Sequence, residues 1–312
     1  MKRFQRILAA VDLSEADRFV ADDLNAHARQ IVDDAIWLAR TGGATIRFAY
    51  VVDSPLLQHI VDEEQEGRLP EGCEVVSENA HERLQMLVDE AKAQGVKADK
   101  VLRFGKTWVQ LVREVLQNPV DVTIAGTRRL GPLRAAFMGS TSLKLLRKCP
   151  SPVWITKPRG GTGLRSILVA HDLTDVGTSA LGIGAELAQM HDARLTVVHV
   201  LEHHSGNVVL PPPCTEADIA AARAAAEQRI ATELAYYPTR RPVDVEIIVG
   251  HAAEGILESI AKGNVDLAVM GTVARTGIRG IVMGNTAEMV LPQVPCSVLA
   301  IKPSDFICPL AT

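Results

Sequence analysis

The chain has 312 residues, a formal net charge of −4 with both signs interspersed, and 4% aromatic residues. That balance lacks the broad basic face of a general nucleic-acid binder, and so few aromatic rings offer no stacking platform for single strands. The five cysteines, Cys73, Cys149, Cys214, Cys296 and Cys308, are odd in number, scattered and without metal-ligand spacing, which argues against a disulfide framework and suits a reducing compartment.

Residues 4–11 read as an apolar strand closed by Asp12. The run from Ile7 to Val11 is too short to be a signal peptide or an anchor, so a soluble, cytoplasmic protein without membrane insertion is expected. A helix over 17–39 follows, with Ile31, Ala35 and Leu38 at core spacing. Next come a strand over 45–52, an acidic loop over 53–72, and a helix over 77–94. A strand over 101–104 ends at Gly105, a helix spans 108–116, and a short strand ends at Gly126. Beyond a basic loop, Ser142, Leu145, Leu146 and Cys149 mark the buried face of a helix, and 153–156 form a strand.

After the stretch KPRGGTGL the pattern begins again. A strand over 166–170 is followed by His171 and Asp172, a helix over 179–190, a strand over 195–201 and a proline-bearing loop over 203–214. Then come a helix over 216–235, a strand over 245–249 ending at Gly250, a helix over 253–261 and a strand over 267–270 before Gly271. Asn285 is a good N-cap for the next helix, whose buried face is Ala287, Val290, Leu291 and Val294. Pro292, where the first copy has Arg147, predicts that this helix is kinked or short. Residues 297–301 form the last strand.

The second half repeats the first. Gly126, Met138, Gly139, Pro150 and Pro158 recur 145 positions later as Gly271, Met283, Gly284, Pro295 and Pro303, with no internal gap. Asp12 and Asp172 are 160 apart, so the first copy carries 15 extra residues before Gly105. The chain is a tandem duplication. Its β-α alternation predicts an α/β fold of two doubly wound parallel-sheet, Rossmann-like domains, over 1–158 and 164–312 with a linker at 159–163. In each, a strand, a glycine-bearing loop and a helix N-terminus converge backbone N–H groups where an anion such as phosphate is favoured.

These landmarks make the chain resemble the universal stress protein family in its tandem form, most strongly over the last third of each copy. The resemblance implies an adenine nucleotide alpha hydrolase-like fold and a loop G-x2-G-x9-G-[ST] that wraps nucleotide phosphates. Carried across, the first copy offers Gly126, Arg129 in place of the second glycine, Gly139 and Ser140, with Thr141 adjacent. The second offers Gly271, Ala274, Gly284 and Asn285, with Thr286 adjacent. Neither motif is intact. Ala274 strains a positive φ by about 1 kcal/mol. The Arg129 guanidinium either fills the phosphate position or pairs with a real phosphate, and Arg134 and its equivalent Arg279 are the candidates to face one. The resemblance further implies adenine and ribose contacts near Asp12 or Asp172, beside Val51 or Val200, with Ala125 or Met270 just before the loop.

The first functional reading is a non-catalytic stress-response protein that binds ATP or a related adenine nucleotide. The alternative is a nucleotide-free interaction or scaffold protein, or a binder of another small, apolar ligand, on the same fold. There is no G-x4-GK-[ST] loop and no nucleophile, base and orienter at a recognisable spacing, so no catalytic residue is assigned. His199, His203, His204 and Cys214 lie close in sequence but lack a firm fourth ligand, so no metal site is assigned. His171 is expected to line a pocket. In single-domain members the resemblance implies dimers through the last strand. Here the two domains are expected to pair within one chain as a pseudo-dimer, with homodimerisation left open.

Overall fold

A computed structural model describes residues 4–14, 18–53, 74–127, 138–202, 215–272 and 283–310. The chain divides into two units, one comprising Met1–Thr162 with Asp305–Thr312, the other Gly163–Ser304. The last residues thus group with the first unit, where the sequence division assigned everything after residue 164 to the second. Within that first unit the Cys308 thiol donates to the Lys148 carbonyl at 3.3 Å.

The first unit comprises β1 (Arg6–Ala10), α1 (Ala26–Gly42), β2 (Thr45–Val52), α2 (Glu74–Ala93), β3 (Lys97–Phe104), α3 (Thr107–Gln117), β4 (Val122–Gly126), α4 (Ser140–Lys148) and β5 (Val153–Thr156). Its strands lie in the order β3-β2-β1-β4-β5, every pair parallel. The inner strands are mostly apolar because helices cover both faces, and Leu8, Phe48 and Ile124 are fully buried. The order reverses between β1 and β4, and it is outside the carboxyl ends of strands at such a switch that a doubly wound sheet leaves a crevice.

The second unit repeats this with β6 (Ser166–Ala170), α5 (Asp175–His191), β7 (Arg194–Leu201), α6 (Glu216–Leu234), β8 (Val243–Val249), α7 (Ala252–Lys262), β9 (Leu267–Gly271), α8 (Asn285–Val290) and β10 (Ser297–Ile301). The order is β8-β7-β6-β9-β10, again parallel. Close packing of α5 on β6 depends on Gly184, where an added Cβ would sit 2.3 Å from Val169 Cγ2. Gly184→Ala is therefore expected to destabilise the protein by about 1–3 kcal/mol, read as a lowered midpoint in chemical denaturation.

Helix starts differ from expectation where a cap intervenes. α1 begins at Ala26 rather than near residue 17, because the Asn25 side chain accepts from the N–H groups of His27 (3.0 Å) and Ala28 (2.9 Å). The cap of α8 is Gly284, and Asn285, expected to be the cap, is its first helical residue. That helix has six residues against nine in α4. Pro292 supplies no N–H and its ring opposes the carbonyl four residues back, so the short outcome is the one realised.

Two buried ion clusters hold the first unit. Arg159 reaches back to α1, where both guanidinium nitrogens Nη1 and Nη2 engage the Asp34 carboxylate. Gln30 accepts from the Arg159 N–H at 3.1 Å and donates to the Gly161 carbonyl at 3.0 Å. The stretch expected to be a linker is thus tied down over Arg159 to Thr162. On the other side of the sheet, the Glu114 carboxylate of α3 accepts from Arg47 (2.9 Å), Arg103 (2.7 Å) and Asn118 (3.0 Å).

Candidate functional site

At the carboxyl ends of β1, β2 and β4 lies a cleft of about 390 Å³, within the range of small-molecule sites. Ala10, Val11 and Asp12 reach it from β1, Ala49, Tyr50 and Val51 from β2, Ala125, Gly126 and Thr127 from β4, and Thr141, Ser142 and Leu145 from α4. Of the residues expected to form the site, Asp12, Val51, Gly126 and Thr141 line this cleft. Gly139 and Ser140 sit beside it as the N-cap and first residue of α4, whose N-terminus receives no side-chain cap. The first-turn N–H groups are therefore left to the loop, water or a ligand, and the helix dipole points the same way.

Most polar groups of the cleft are held by their neighbours. Asp12 accepts from the Ser14 N–H (3.1 Å) and hydroxyl (2.7 Å), which fixes the chain as it leaves β1. Ser142 donates to the Gly126 carbonyl at 2.9 Å, tying α4 to the end of β4. His27 Nδ1 and the Thr127 hydroxyl lie 3.1 Å apart across the floor. Asp53 accepts from the Thr107 N–H (3.1 Å) and hydroxyl (2.8 Å), capping α3. The Tyr50 hydroxyl donates to the Phe19 carbonyl, and burial, with the nearby Asp12 charge, holds its pKa above the ordinary phenol value. Gly126 has a packing reason as well: an added Cβ would lie 3.1 Å from Ile31 Cδ1, so the glycine lets α1 approach the sheet.

The second unit keeps the frame and changes the lining. Asp172 accepts from the Thr174 N–H (3.1 Å) and hydroxyl (2.6 Å), as Asp12 does from Ser14. Gly271 packs against α5, where an added Cβ would meet Val176 Cγ1 at 2.8 Å. Val200, Gly284 and Thr286 stand where Val51, Gly139 and Thr141 stand in the first unit, and Asn285 replaces Ser140. Met270, buried, replaces the small Ala125. His171, expected to line a pocket, is buried and engaged. Its Nδ1 accepts from the Leu173 N–H at 2.9 Å, so Nε2 carries the proton and donates to Glu233 at 2.8 Å. Burial alone would raise the Glu233 pKa, but the hydrogen bonds from His171 and Arg229 outweigh it and the net shift is downward.

Arg129 and Arg134 of the first loop, and Ala274 and Arg279 of the second, lie outside the described residues, as do His203, His204 and Cys214. Among the described residues no group of three or more His, Cys, Asp or Glu is placed to hold a metal ion, and no helix is long and apolar enough to cross a membrane.

Sequence reasoning missed His27, Tyr50, Asp53, Thr107, Thr127 and Ser142 as cleft residues. One signal was available. Ser142 had been placed on the buried helical face, where a hydroxyl between leucines needs a partner, and the Gly126 carbonyl supplies it.

The family model described as "Universal stress protein family" matches residues 3–157 and again 163–302. This chain belongs to the universal stress protein family. It is 26% identical to universal stress protein E of Photorhabdus laumondii over 68% of this chain and 70% of that one. The same protein of Escherichia coli K12 is also 26% identical, over 68% and 70% of the two chains. A universal stress protein of Synechocystis is 25% identical over 88% of this chain and 96% of its own. Among solved structures, a universal stress protein from Archaeoglobus fulgidus has the same fold, with a TM-score of 0.66 at 20% identity over 95% of this chain and 98% of that one. A functionally unknown protein from Pseudomonas aeruginosa PAO1 gives 0.70 at 21% identity over 97% and 94%. The tandem arrangement read from the 145-residue repeat is therefore a pair of universal stress protein domains.

Proposed function

We propose that the first unit binds an adenine nucleotide, ATP or a close relative, and that the protein acts without catalysis as a cytoplasmic stress-response module. The observation that carries this reading is the cleft of about 390 Å³ at the sheet's switch point, bordered by the uncapped N-terminus of α4. Its geometry suits a ligand with a planar, partly apolar end near Asp12 and Val51 and an anionic end near Gly139, Ser140 and Thr141. Asp12 suits the sugar hydroxyls between them, and Arg129 and Arg134 are the proposed cations of the phosphate end.

The second unit favours a different role. Its α8 has only six residues, and Met270 takes the place of Ala125. Asp172, Val200, Gly271 and Gly284 keep the family pattern there, whereas Ala274 and Asn285 depart from it, with Met270, Arg279 and Thr286 beside them, and we assign that half to interaction, without nucleotide. Light scattering of the purified protein would show whether whole chains dimerise.

Isothermal titration of the full chain with ATP tests the nucleotide reading. Micromolar to low-millimolar binding at a stoichiometry of about one is expected. Ala125→Met, which grafts the second unit's side chain onto the cleft, should weaken it more than about tenfold, since filling a binding cavity displaces ligand atoms directly. Absence of binding at millimolar ATP, or two equivalent sites, would reject the respective halves of the reading.

A further inference from the structure

The two units differ most in how the chain passes from the first strand to the first helix. In the second unit one residue does two jobs: the Thr174 hydroxyl donates to Asp172 at 2.6 Å and accepts from the Gly177 N–H at 3.3 Å, capping α5. In the first unit the same jobs fall to separate residues, Ser14 bonding Asp12 and Asn25 capping α1. The offset between the copies accordingly drops from 160 at Asp12 and Asp172 to 149 at Val51 and Val200, an insert of 11 residues at this point.

The described part of that insert, residues 18–25, is pinned onto the cleft. The Ala21 N–H donates to the Leu13 carbonyl at 2.8 Å, and the Tyr50 hydroxyl donates to the carbonyl of Phe19. Tyr50 is itself buried, and its position in the second unit is taken by His199, which turns instead to the His171 carbonyl at 2.7 Å. Phe19 lines the cleft and yet remains 41% exposed, in a chain with only six phenylalanines. A large apolar ring at the mouth of a site, latched through its own backbone, has a cost in water unless something covers it. Polar contacts in the same wall come from Asp12, Ser14 and Asn25, which suit hydroxyl and ring-nitrogen groups.

We infer that residues 18–25 are the base-recognition wall of the first unit, with Phe19 the face on which a planar heteroaromatic base stacks. The inference rests on the nucleotide reading of the cleft and adds the source of its selectivity: a flat π-surface at one end, carried by residues that the second copy lacks. It also explains why only one half would discriminate nucleotides from simple phosphates.

The test is ATP titration of the full chain carrying Phe19→Ala, Phe19→Leu or Phe19→Trp beside the unaltered protein. Base–aromatic stacking of ordinary strength predicts roughly tenfold weaker ATP binding for Phe19→Ala. Phe19→Leu, which keeps apolar volume without a π-face, should also weaken binding, and Phe19→Trp should restore it. If the unaltered protein binds ATP but Phe19→Ala and Phe19→Leu bind it within about twofold as well, the insert's role is overturned and the nucleotide reading stands. If the unaltered protein does not bind ATP, both are overturned.

Discussion

Asp34→Ala is expected to lower the stability of the protein at neutral pH by about 3–5 kcal/mol, the effect of breaking a buried ion pair from one side. The Asp34 side chain is 1% exposed and that of Arg159 only 12%. Removing the carboxylate strands a guanidinium that α1 and its own segment enclose, and frees the stretch up to Thr162 from its anchor on Gln30 and Asp34. The pair is nonetheless not a large net source of stability. Burial pushes the Asp34 carboxyl up to about 6, against the pull of Arg159 and Gln30 in the other direction. The folded protein therefore holds this proton more tightly than the unfolded chain does. The stability from Asp34 is fully present below about pH 4 and is lost as pH rises through about 6, a decline of about 2–3 kcal/mol. Denaturation midpoints between pH 4 and 7 should show that decline, and Asp34→Asn should flatten it. Replacing both partners by apolar residues, Asp34→Leu with Arg159→Met, should leave stability within about 1 kcal/mol or raise it. An Asp34→Ala protein as stable as the parent would show the pair to be solvated in solution.

The second large effect is at Glu114, and here the magnitudes depend on which partner is removed. Glu114 is 2% exposed, whereas Arg47 and Arg103 are 32% and 39% exposed. The buried carboxylate cannot be hydrated if its donors are lost, but the arginines can turn to water, and Arg47 keeps Asp99 at 2.7 and 2.8 Å. Arg47→Met with Arg103→Met is thus expected to destabilise by about 3–5 kcal/mol, and Glu114→Gln by about 1–2 kcal/mol. Chemical denaturation of the two variants side by side decides the matter. Two variants as stable as the parent would mean that β2, β3 and α3 are held by packing alone, and the reverse ranking would mean that the stranded arginines cost more than the stranded carboxylate. In the second unit Ser259 stands in place of Glu114 and bonds Glu246 at 2.8 Å, so no equivalent penalty is expected there.

The duplicated fold was legible because it depends on periodicity. Apolar runs of strand length alternating with helical faces recur in the second half, at an offset of 145 from Gly105 onward, and point to the same arrangement in each half. Every strand and helix then appears within a few residues of its expected place. The exceptions are helix starts, as where Asn25 delays α1 and where Gly284 rather than Asn285 caps α8, whereas the shortening at Pro292 was expected. A cap is a choice among several equally polar neighbours, and only the path of the preceding chain makes that choice.

The site divides along the same line. Asp12 and Gly126 could be placed beforehand, since strand ends at a topological switch point converge by the rules of a doubly wound sheet, and Val51 was implied by the family resemblance. His27, Tyr50 and Phe19 could not, because their presence in the cleft depends on how an insert folds back and which hydroxyl reaches which carbonyl. The amino-acid sequence by itself determined two doubly wound units of parallel strands and the sheet edge at which Asp12, Gly126, Asp172 and Gly271 fall, since burial of alternating apolar segments leaves little freedom. Only the tertiary structure decided which side chains line the first unit's cleft, for the latch of Tyr50 on Phe19 and the bond of Ser142 to Gly126 arise from contacts between residues far apart in the chain.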